Sequence, residues 1–481
     1  MNDIEAASPA GSPAGSVVTG SRLERWTGRP AARWGVDDLV RVFHERQVQL
    51  LALMHVGGDG ELKTLDFAPR NVDHLRRVLE SGERADGSSL FPGLGISSSA
   101  SDVFLRPRVA TAFIDPFSPL PTMAVLCGHA GRDGAPLPQS PDTMVRRALD
   151  RLERETGHAL HALGEVEYFL CRRSSGDGGH DADDRGYHAT APFVFGEALR
   201  RRALGFLNDI GVPVKYGHSE VGFVPVEEGG HDVWEQHEIE LDLAPLPAAA
   251  DAVVLTRWVL RRLAQADDMQ VNFDPVLQRG HAGTGLHIHF APVVRGESRP
   301  VHGPGGELTE SARWLIGGLV RHGTALMAFG NRAESSFVRL GQALEAPRGV
   351  VWGDSDRSAL VRLPIVARDA QGRAVVAETV EFRLPDGSAH PHLLLAGVAQ
   401  AMCDGYAATD LDHLIETSRS SAAPASGARA PGSGLPRSFV EVAAALRSSR
   451  AMLESGTVYP ATMLDRTIER LEAQESTSKP R

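Results

Sequence analysis

Five pairs of polar residues, the members of each pair separated by a single residue, interrupt otherwise apolar stretches of this 481-residue chain. Residues i and i+2 of a β-strand point to the same face of a sheet, so each pair predicts a strand with one polar face. The pairs are Glu165/Glu167, His218/Glu220, Glu238/Glu240, His287/His289 and Glu381/Arg383. The intervening residues expected to face a core are Val166, Ile239, Ile288 and Phe382. The pattern therefore predicts a sheet with an apolar back and a polar inner wall.

A wall of carboxylates is unfavourable unless it binds a ligand. Close carboxylates repel one another by about 4 kcal/mol per pair at an effective dielectric of about 20. Divalent cations remove this repulsion, and glutamates with one histidine form a ligand set suited to Mg²⁺ or Mn²⁺. One such pair alone is more often a solvated strand face. Five pairs in one region favour a site for metal or charged ligands.

Glu220 and Glu238 flank a predicted hairpin whose tip is the segment 227–232 (EEGGHD). A two-residue turn at the two central glycines would place Glu220 opposite Ile239, one residue away from Glu238. A small register shift or a bulge would then bring the two carboxylates side by side. The sequence distance between them is therefore no obstacle to a shared metal.

Four arginines form a second candidate set: Arg339, Arg357, Arg362 and Arg383. A guanidinium matches carboxylates and phosphates in bidentate geometry. Any one of them is more often a surface or ion-pair residue. Together with the carboxylate wall, they predict binding of a polyphosphate and an acidic substrate. The turn at 283–285 (GTG) either lets a ligand approach the backbone closely or is only a tight turn.

Composition narrows the class of protein. Fifty Lys and Arg against 61 Asp and Glu leave a net charge of −11, which argues against a broad basic surface for nucleic acid. The isolated Cys127, Cys171 and Cys403 disfavour a disulfide framework or a zinc-thiolate site. No apolar run approaches the roughly 18 residues of a membrane helix, and a signal peptide is not evident. We therefore expect a cytoplasmic protein without nucleic-acid or membrane partners.

The organisation of the chain follows from composition and periodicity. Residues 1–20 are rich in Ala, Ser, Gly and Pro and predict a disordered tail, and 418–434 predicts a mobile low-complexity loop. The Gly- and Pro-rich segment 128–141 predicts a boundary between an N-terminal domain (21–135) and a second domain (136–481). Predicted helices lie at about 36–49, 71–79, 142–156, 196–211, 248–267, 436–449 and 460–474. Predicted strands lie at about 49–55, 62–67, 110–114, 123–127, 161–170, 214–226, 232–243 and 284–292.

Nine short blocks, in order, resemble those of the glutamine synthetase superfamily, and the resemblance runs from about residue 36 to 475. The blocks are 86–89 (DGSS), 164–170 (GEVEYFL), 218–221 (HSEV), 236–239 (QHEI), 283–289 (GTGLHIH), 335–340 (SSFVRL), 344–347 (LEAP), 357–364 (RSALVRLP) and 381–386 (EFRLPD). The resemblance implies an α+β fold with an N-terminal β-grasp domain. It also implies a C-terminal catalytic domain whose curved antiparallel sheet is surrounded by helices.

The resemblance also implies roles for site residues. Glu167, Glu220 and Glu238 would bind one Mg²⁺ or Mn²⁺ ion, and Glu165, His287 and Glu381 the other. It also implies catalytic or binding roles for ten further residues. Arg339, Arg383 and the Gly283 backbone would bind glutamate, and Arg357, Arg362 and His289 would bind ATP. Glu345 would act as a flap over the intermediate, and Asp86, Ser89 and Tyr187 would surround the ammonium site. Asp86 would come from a neighbouring subunit of a homo-oligomer, commonly a dodecamer of two hexameric rings.

The activity implied is an ATP-dependent ligase that joins the γ-carboxylate of glutamate to ammonia or to a primary amine such as ethanolamine or a polyamine. Departures from the family pattern leave alternatives open. Thr379 stands where an arginine is usual, Ala282 replaces an asparagine, and the hairpin between Glu220 and Glu238 is longer than usual. The alternatives are an inactive, ring-forming scaffold or regulator, and a ligase for a different carboxylic acid.

Overall fold

The computed structural model describes residues 20–96, 101–173, 184–225, 232–342, 345–420 and 434–478. Within them the chain forms two β-sheets, each packed against helices. The predicted tail, hairpin tip and low-complexity loop lie almost wholly outside the described residues. No helix in the described part of the chain is both long and apolar enough to cross a membrane.

The smaller sheet comes from the N-terminal part of the chain. Its elements are α1 (Arg22–Thr27), α2 (Val36–Glu45), β1 (Leu50–Val56), β2 (Leu62–Phe67), α3 (Val72–Ser81), β3 (Glu83–Asp86), α4 (Gly87–Leu90), β4 (Asp102–Pro107), β5 (Phe113–Ile114) and β6 (Thr122–Ala130). The strand order is β2-β1-β6-β4-β3, with β5 also on β6. Strands β1 and β6 pair in parallel at the centre, and the other pairs are antiparallel.

Three predictions for this region need correction. Helix α2 ends at Glu45 instead of continuing to about 49, because the chain turns there to enter β1. The predicted strand at 110–114 is a 3₁₀ turn at Val109–Thr111 followed by the two-residue β5. Strands β3 and β4 were missed, because β3 is a short, largely exposed edge strand without an alternating apolar pattern.

The remainder of the described chain forms the larger sheet and most of the helices. Its elements are α5 (Pro141–Thr156), β7 (Ala159–Arg173), α6 (Glu197–Asp209), β8 (Val214–Pro225), β9 (Asp232–Leu241), β10 (Ala244–Pro245), α7 (Leu246–Ala266), β11 (Gln270–Asn272), β12 (Leu286–Val294), β13 (Glu297–Ser298), α8 (Glu310–Gly330), α9 (Ser335–Gln342), β14 (Gly349–Asp354), β15 (Ala359–Leu363), β16 (Val380–Phe382), α10 (Pro391–Ala407), α11 (Leu411–Thr417), α12 (Phe439–Ser448), α13 (Arg450–Glu454) and α14 (Ala461–Ser478). The order β14-β15-β16-β12-β7-β9-β8 is antiparallel except between β14 and β15.

The predicted apolar back of this sheet is confirmed. Val166, Ile239, Ile288 and Phe382 are at most 2% exposed and belong to one continuous apolar core. The long helices α7, α8 and α10 pack many further buried residues into this core. The α+β fold class is therefore correct, whereas the exact division of the chain at 135/136 stays a prediction.

The register of the β8–β9 hairpin differs from the predicted one. His218, not Glu220, stands opposite Glu238, and Ser219 pairs with His237. A bulge between Ser219 and Phe223 takes up Glu220, so that the predicted pairing of Glu220 with Ile239 is wrong. The bulge itself was anticipated, and it brings Glu220 to the same side as Glu238.

Candidate active site

Nine of the ten residues of the five polar pairs line one cleft on the inner face of the larger sheet, and the tenth, Glu381, is fully buried against two arginines of its lining. Strand register explains the convergence: Glu167 lies opposite Glu238, Glu165 lies opposite both Glu240 and His287, and Glu381 lies opposite His289. The cleft has a volume of about 500 Å³. The predicted polar wall is therefore a structural feature.

One cluster of donors surrounds Glu165. Its carboxylate oxygens lie 2.9 Å from His287 Nδ1 and 3.0 Å from His289 Nε2. Burial opposes ionisation of Glu165, but the two histidines outweigh it and hold the pKa of this carboxyl well below its usual range. Glu165, His289 and Glu381 place one donor atom each within 4.8 Å of one another. His287 Nδ1, the donor expected from the sequence, lies 3.8 Å from Glu381 Oε1.

A second cluster joins His218, Glu220 and Glu238, whose donor atoms also lie within 4.8 Å of one another. His218 Nε2 is 3.2 Å from Glu238 Oε1. Burial, reinforced by the neighbouring Glu167, raises the pKa of Glu220 to about 8. Burial and the surrounding carboxylates raise the pKa of Glu238 well above its usual value.

Glu167 lines the same cleft, but its carboxylate accepts hydrogen bonds from uncharged groups of the protein. Its Oε2 accepts hydrogen bonds from Gln236 Nε2 at 2.9 Å and from the backbone N–H of Gly285 at 2.7 Å. Gln236 also donates to the carbonyl of Gly283 at 2.9 Å, which ties the Gly283 turn to the carboxylate wall. Glu167 is therefore oriented by protein donors, whereas no arginine or lysine among the described residues pairs with Glu220 or Glu238.

The donor set fits divalent cations. Carboxylate oxygens with imidazole nitrogens suit Mg²⁺ or Mn²⁺. Burial and like charge disfavour the ionised forms of Glu220 and Glu238, which is the cost that a bound cation would offset. A third grouping, Glu165, Glu238 and Glu240, overlaps both clusters, although Lys215 Nζ already binds Glu240 at 2.6 Å.

Three of the four predicted arginines line the same cleft, and the fourth, Arg339, is buried behind it. Arg339 is buried, donates to the carbonyl of Leu384 at 3.1 Å, and has Nη2 3.3 Å from His287 Nε2. Arg362 pairs with Glu381 at 2.9 Å. Arg383 also pairs with Glu381 and donates to the backbone carbonyl of Glu345 at 2.9 Å.

Five other predicted residues lie at three places. Arg357 and Glu345 form an exposed ion pair of 3.2 Å at the mouth of the cleft. A Cβ atom on Gly283 would stand 3.0 Å from both the Arg339 side chain and the carbonyl of Pro275, so the turn is packed closely. Asp86 and Ser89 hydrogen-bond to each other at 2.6 Å and are not among the residues that line the cleft of their own chain.

Aromatic rings border the cleft beside Glu220. The rings of Tyr187 and His188 stack with centroids 4.3 Å apart, and His218 meets Tyr187 at 5.4 Å and His188 at 4.6 Å. Tyr216 adds a fourth ring 6.0 Å from His218. Only Tyr187 was predicted as a site residue from the sequence.

The sequence analysis also assigned no site role to several other polar residues that lie in the cleft. His218 and Glu240 belonged to the recognised pairs, so the i, i+2 pattern carried their signal although no role was assigned. Thr379 Oγ1 lies 2.9 Å from His289 Nδ1 and orients that ring, a contact with no local sequence signal. At the position where the family usually has an arginine, this chain therefore has a threonine that contacts His289, a candidate metal ligand.

Comparisons with known proteins place the chain in a family. Residues 138–472 match the family described as the catalytic domain of glutamine synthetase. The glutamine synthetase of Thermus thermophilus is 31% identical over 66% of this chain and 70% of its own length. That of Methanococcus maripaludis is 28% identical over 77% of this chain and 80% of its own length.

Solved structures agree on the fold. A Plasmodium falciparum glutamine synthetase superposes with a TM-score of 0.75 at 19% identity, covering 92% of this chain and 96% of the other. A GmaS–ADP complex gives 0.68 at 19% identity, covering 92% and 97%. The chain belongs to the glutamine synthetase family, a family of ligases.

Proposed function

We propose that this protein is an ATP- and divalent-metal-dependent ligase that joins the γ-carboxylate of glutamate to ammonia or a small primary amine. The observation that carries the proposal is the convergence of the six predicted metal-binding positions and four arginines around one cleft of a glutamine synthetase fold. A scaffold without catalysis has no requirement for so many buried, mutually repelling carboxylates.

Two metal positions follow from the donor clusters. Glu220 and Glu238, with Glu167 or His218, would hold one Mg²⁺ or Mn²⁺, and Glu165 and Glu381, with His287 or His289, the other. Bound there, these cations would neutralise the ATP phosphates and the charge that develops during phosphoryl transfer.

The arginines support the first half-reaction. A carboxylate is a poor electrophile, so its oxygen first attacks the γ-phosphorus of ATP, ADP leaves, and a γ-glutamyl phosphate forms. Arg357 and Arg362 stabilise the phosphate oxygens, while Arg339, Arg383 and the Gly283 backbone orient glutamate. His289 contributes to the nucleotide side of the cleft.

The amine then attacks the activated carbonyl carbon, loses its proton to a carboxylate, and expels inorganic phosphate, which yields the amide. Glu345 closes over the intermediate and limits its hydrolysis. Asp86 and Ser89 act at the amine site of a neighbouring subunit, which accounts for their position away from the cleft of their own chain. The assembly is a homo-oligomer, proposed as a dodecamer of two hexameric rings.

A primary amine is favoured as an acceptor by the aromatic border of the cleft. Tyr187, Tyr216 and the imidazoles of His188 and His218 stand beside Glu220, so a cationic amine with a carbon chain would contact ring faces as well as a carboxylate. Ammonium alone has no use for this apolar contact. Ammonia nevertheless stays the alternative acceptor.

The test is phosphate release from Mg·ATP with glutamate, comparing ammonium with a panel of primary amines and using Glu220→Ala as the control. Release stimulated by one acceptor and abolished in the variant would support the ligase and identify its amine. Failure to bind Mg·ATP in folded, assembled protein would favour the scaffold. Mg·ATP binding without glutamate-dependent release would favour a different acid, and Thr379 is the departure that motivates that alternative.

A further inference from the structure

The bulge in β8 is held from outside the larger sheet by the segment 184–191. Among the described strands, β8 is the last in the order of this sheet, so the segment has access to its free edge. There the N–H of Gly186 donates to the carbonyl of Val221 at 3.2 Å. A Cβ atom on Gly186 would stand 2.5 Å from the carbonyl oxygen of Glu220, so only glycine fits at this position. The segment is therefore packed closely against the bulge.

Asp184 connects this segment to a second part of the active site. Its Oδ1 accepts a hydrogen bond from the N–H of Phe223, at the end of the bulge, at 2.8 Å, and lies 3.1 Å from Nδ1 of His281. Its Oδ2 accepts a hydrogen bond from the N–H of Ala282 at 3.1 Å. One carboxylate thus joins two backbone segments that are distant in sequence, the bulge of β8 and the turn that contains Gly283.

The same two segments are also joined by Gln236, which is buried within the sheet. Its Oε1 accepts a hydrogen bond from the N–H of Gly222 in the bulge at 3.0 Å, and its Nε2 donates to the carbonyl of Gly283 at 2.9 Å. Gln236 and Asp184 therefore make two separate connections between the bulge and the turn at 281–285. Two connections fix the position of one segment relative to the other better than a single hydrogen bond does.

The backbone of Asp184 narrows the residue types that suit this position. Its φ angle is 46°, in the left-handed region, where aspartate and asparagine are the non-glycine residues most often found. An ionised aspartate has only acceptor oxygens, so it can receive two N–H groups at once, whereas asparagine replaces one of these oxygens with a donor. Asp184→Asn therefore removes the double acceptor without a change in backbone tolerance.

We propose that Asp184 is a positioning residue, which fixes the turn at 281–285 against the bulge that carries Glu220. The inference rests on the proposed function, in which the Gly283 backbone orients glutamate and Glu220 lies on the metal and amine side of the cleft. Asp184 is not among the residues that line the cleft, so it acts through the turn and not on the substrate. Misplacement of a bound substrate by about 1 Å can cost about 100-fold in rate, so the position of the turn matters for the attack of the amine.

Steady-state kinetics of the assembled protein test this role. In Asp184→Asn we expect the KM for glutamate to rise about tenfold or more, because the turn is displaced, while the KM for Mg·ATP stays within about twofold of wild type. The matched control is Asp369→Asn. The Asp369 carboxylate also accepts two backbone N–H groups, from Gln371 and Arg373, but it connects residues of one loop only. Both KM values of this control should equal those of the wild type.

Hydrogen exchange followed by mass spectrometry tests the connection without reference to activity. We expect the backbone amides of 281–285 to exchange about tenfold faster in Asp184→Asn than in the wild type, and at the wild-type rate in Asp369→Asn. If the wild type releases no phosphate with glutamate and any acceptor, the proposed ligase function has failed. Faster exchange would then still support the role of Asp184 in fixing the turn, and unchanged exchange would overturn it.

With an active wild type, two kinetic outcomes overturn the inference. One is a wild-type KM for glutamate in Asp184→Asn. The other is an equal rise in the KM values for glutamate and Mg·ATP, which a general loss of structure would produce. If Asp184→Asn does not fold, His281→Ala replaces it, because this variant removes one partner of the carboxylate and leaves its two backbone contacts in place. The KM for glutamate should then rise about threefold, and an unchanged value overturns the inference.

Discussion

The two sheets of this protein differ in the side chains that their central strands carry and bury. In the smaller sheet, β6 is buried along its whole length and β1 in six of its seven residues, and neither strand contains an acidic or basic side chain other than histidine. In the larger sheet, β7, β9 and β12 alternate apolar residues with glutamate or histidine. Burial of apolar area stabilises the centre of the first sheet, β1 and β6, on both faces. The second sheet is stabilised on one face only, and its other face is arranged for ligands.

The largest expected effect concerns the contact between the two regions. Arg108 binds Asp251 of α7 through two hydrogen bonds, of 2.7 and 3.2 Å, and Asp251 also contacts His392. Arg108→Gln leaves a buried carboxylate without its arginine, so we expect a loss of about 3–5 kcal/mol in the free energy of unfolding. Urea denaturation measures it. Arg146→Gln, which removes an exposed ion pair, is the control and should cost less than about 1 kcal/mol.

Opposite outcomes are expected from one substitution in each sheet. Glu238→Gln should lower kcat/KM on the order of 100-fold or more, while the thermal midpoint measured in a chelator stays equal or rises, because a penalised buried carboxylate is removed. Leu53→Ala in the smaller sheet should instead cost about 2–5 kcal/mol of stability. A Glu238→Gln variant that retains wild-type kcat/KM would contradict the role of this wall.

Addition of metal should stabilise the larger sheet specifically. At a free Mg²⁺ or Mn²⁺ concentration 100 times the dissociation constant, the expected gain is about 2.7 kcal/mol. Differential scanning calorimetry with and without chelator measures the gain, with NaCl at equal ionic strength as the control. Glu238→Gln should lose most of it, and Leu53→Ala should keep it. An equal gain in Glu238→Gln would place the cation elsewhere.

The smallest expected effect is a pH dependence of the smaller sheet. His55 and His129 lie 3.1 Å apart between β1 and β6, and burial lowers their pKa values to about 4 and about 3. Below pH 6.5 the unfolded chain binds protons that the folded protein excludes, so stability falls as the pH falls toward these values. At pH 5 we expect about 2 kcal/mol less from His129 than at pH 7.

Chemical denaturation at the two pH values, in a chelator, tests this dependence. The matched variant is His129→Gln, whose stability should decline less between pH 7 and pH 5 than that of the wild type. Equal declines in the two proteins would show that His129 does not exclude a proton on folding.

The sequence predicts the larger sheet better than its site. Spacing of two between polar residues identifies strands and faces, because it depends only on strand geometry. The family resemblance is confirmed, and its blocks include the six carboxylates and histidines proposed as ligands. The register of β8 against β9 could not be predicted from the sequence, because the bulge at Glu220 is decided by packing and not by local propensity. The choice between His287 and His289 depends on side chains from distant segments and has no local signature.

The order of strands in the larger sheet has a consequence for biosynthesis. Strand β7 pairs with β9 and β12, and β12 in turn pairs with β16, which supplies Glu381 from far later in the chain. A nascent chain therefore carries β12 with an open edge until β16 leaves the ribosome, and the carboxylate wall is complete only then. Such non-local pairing slows folding, and exposed edges invite association with other chains. The arrangement that assembles the site from distant segments thus leaves a strand edge unpaired during part of the protein's synthesis.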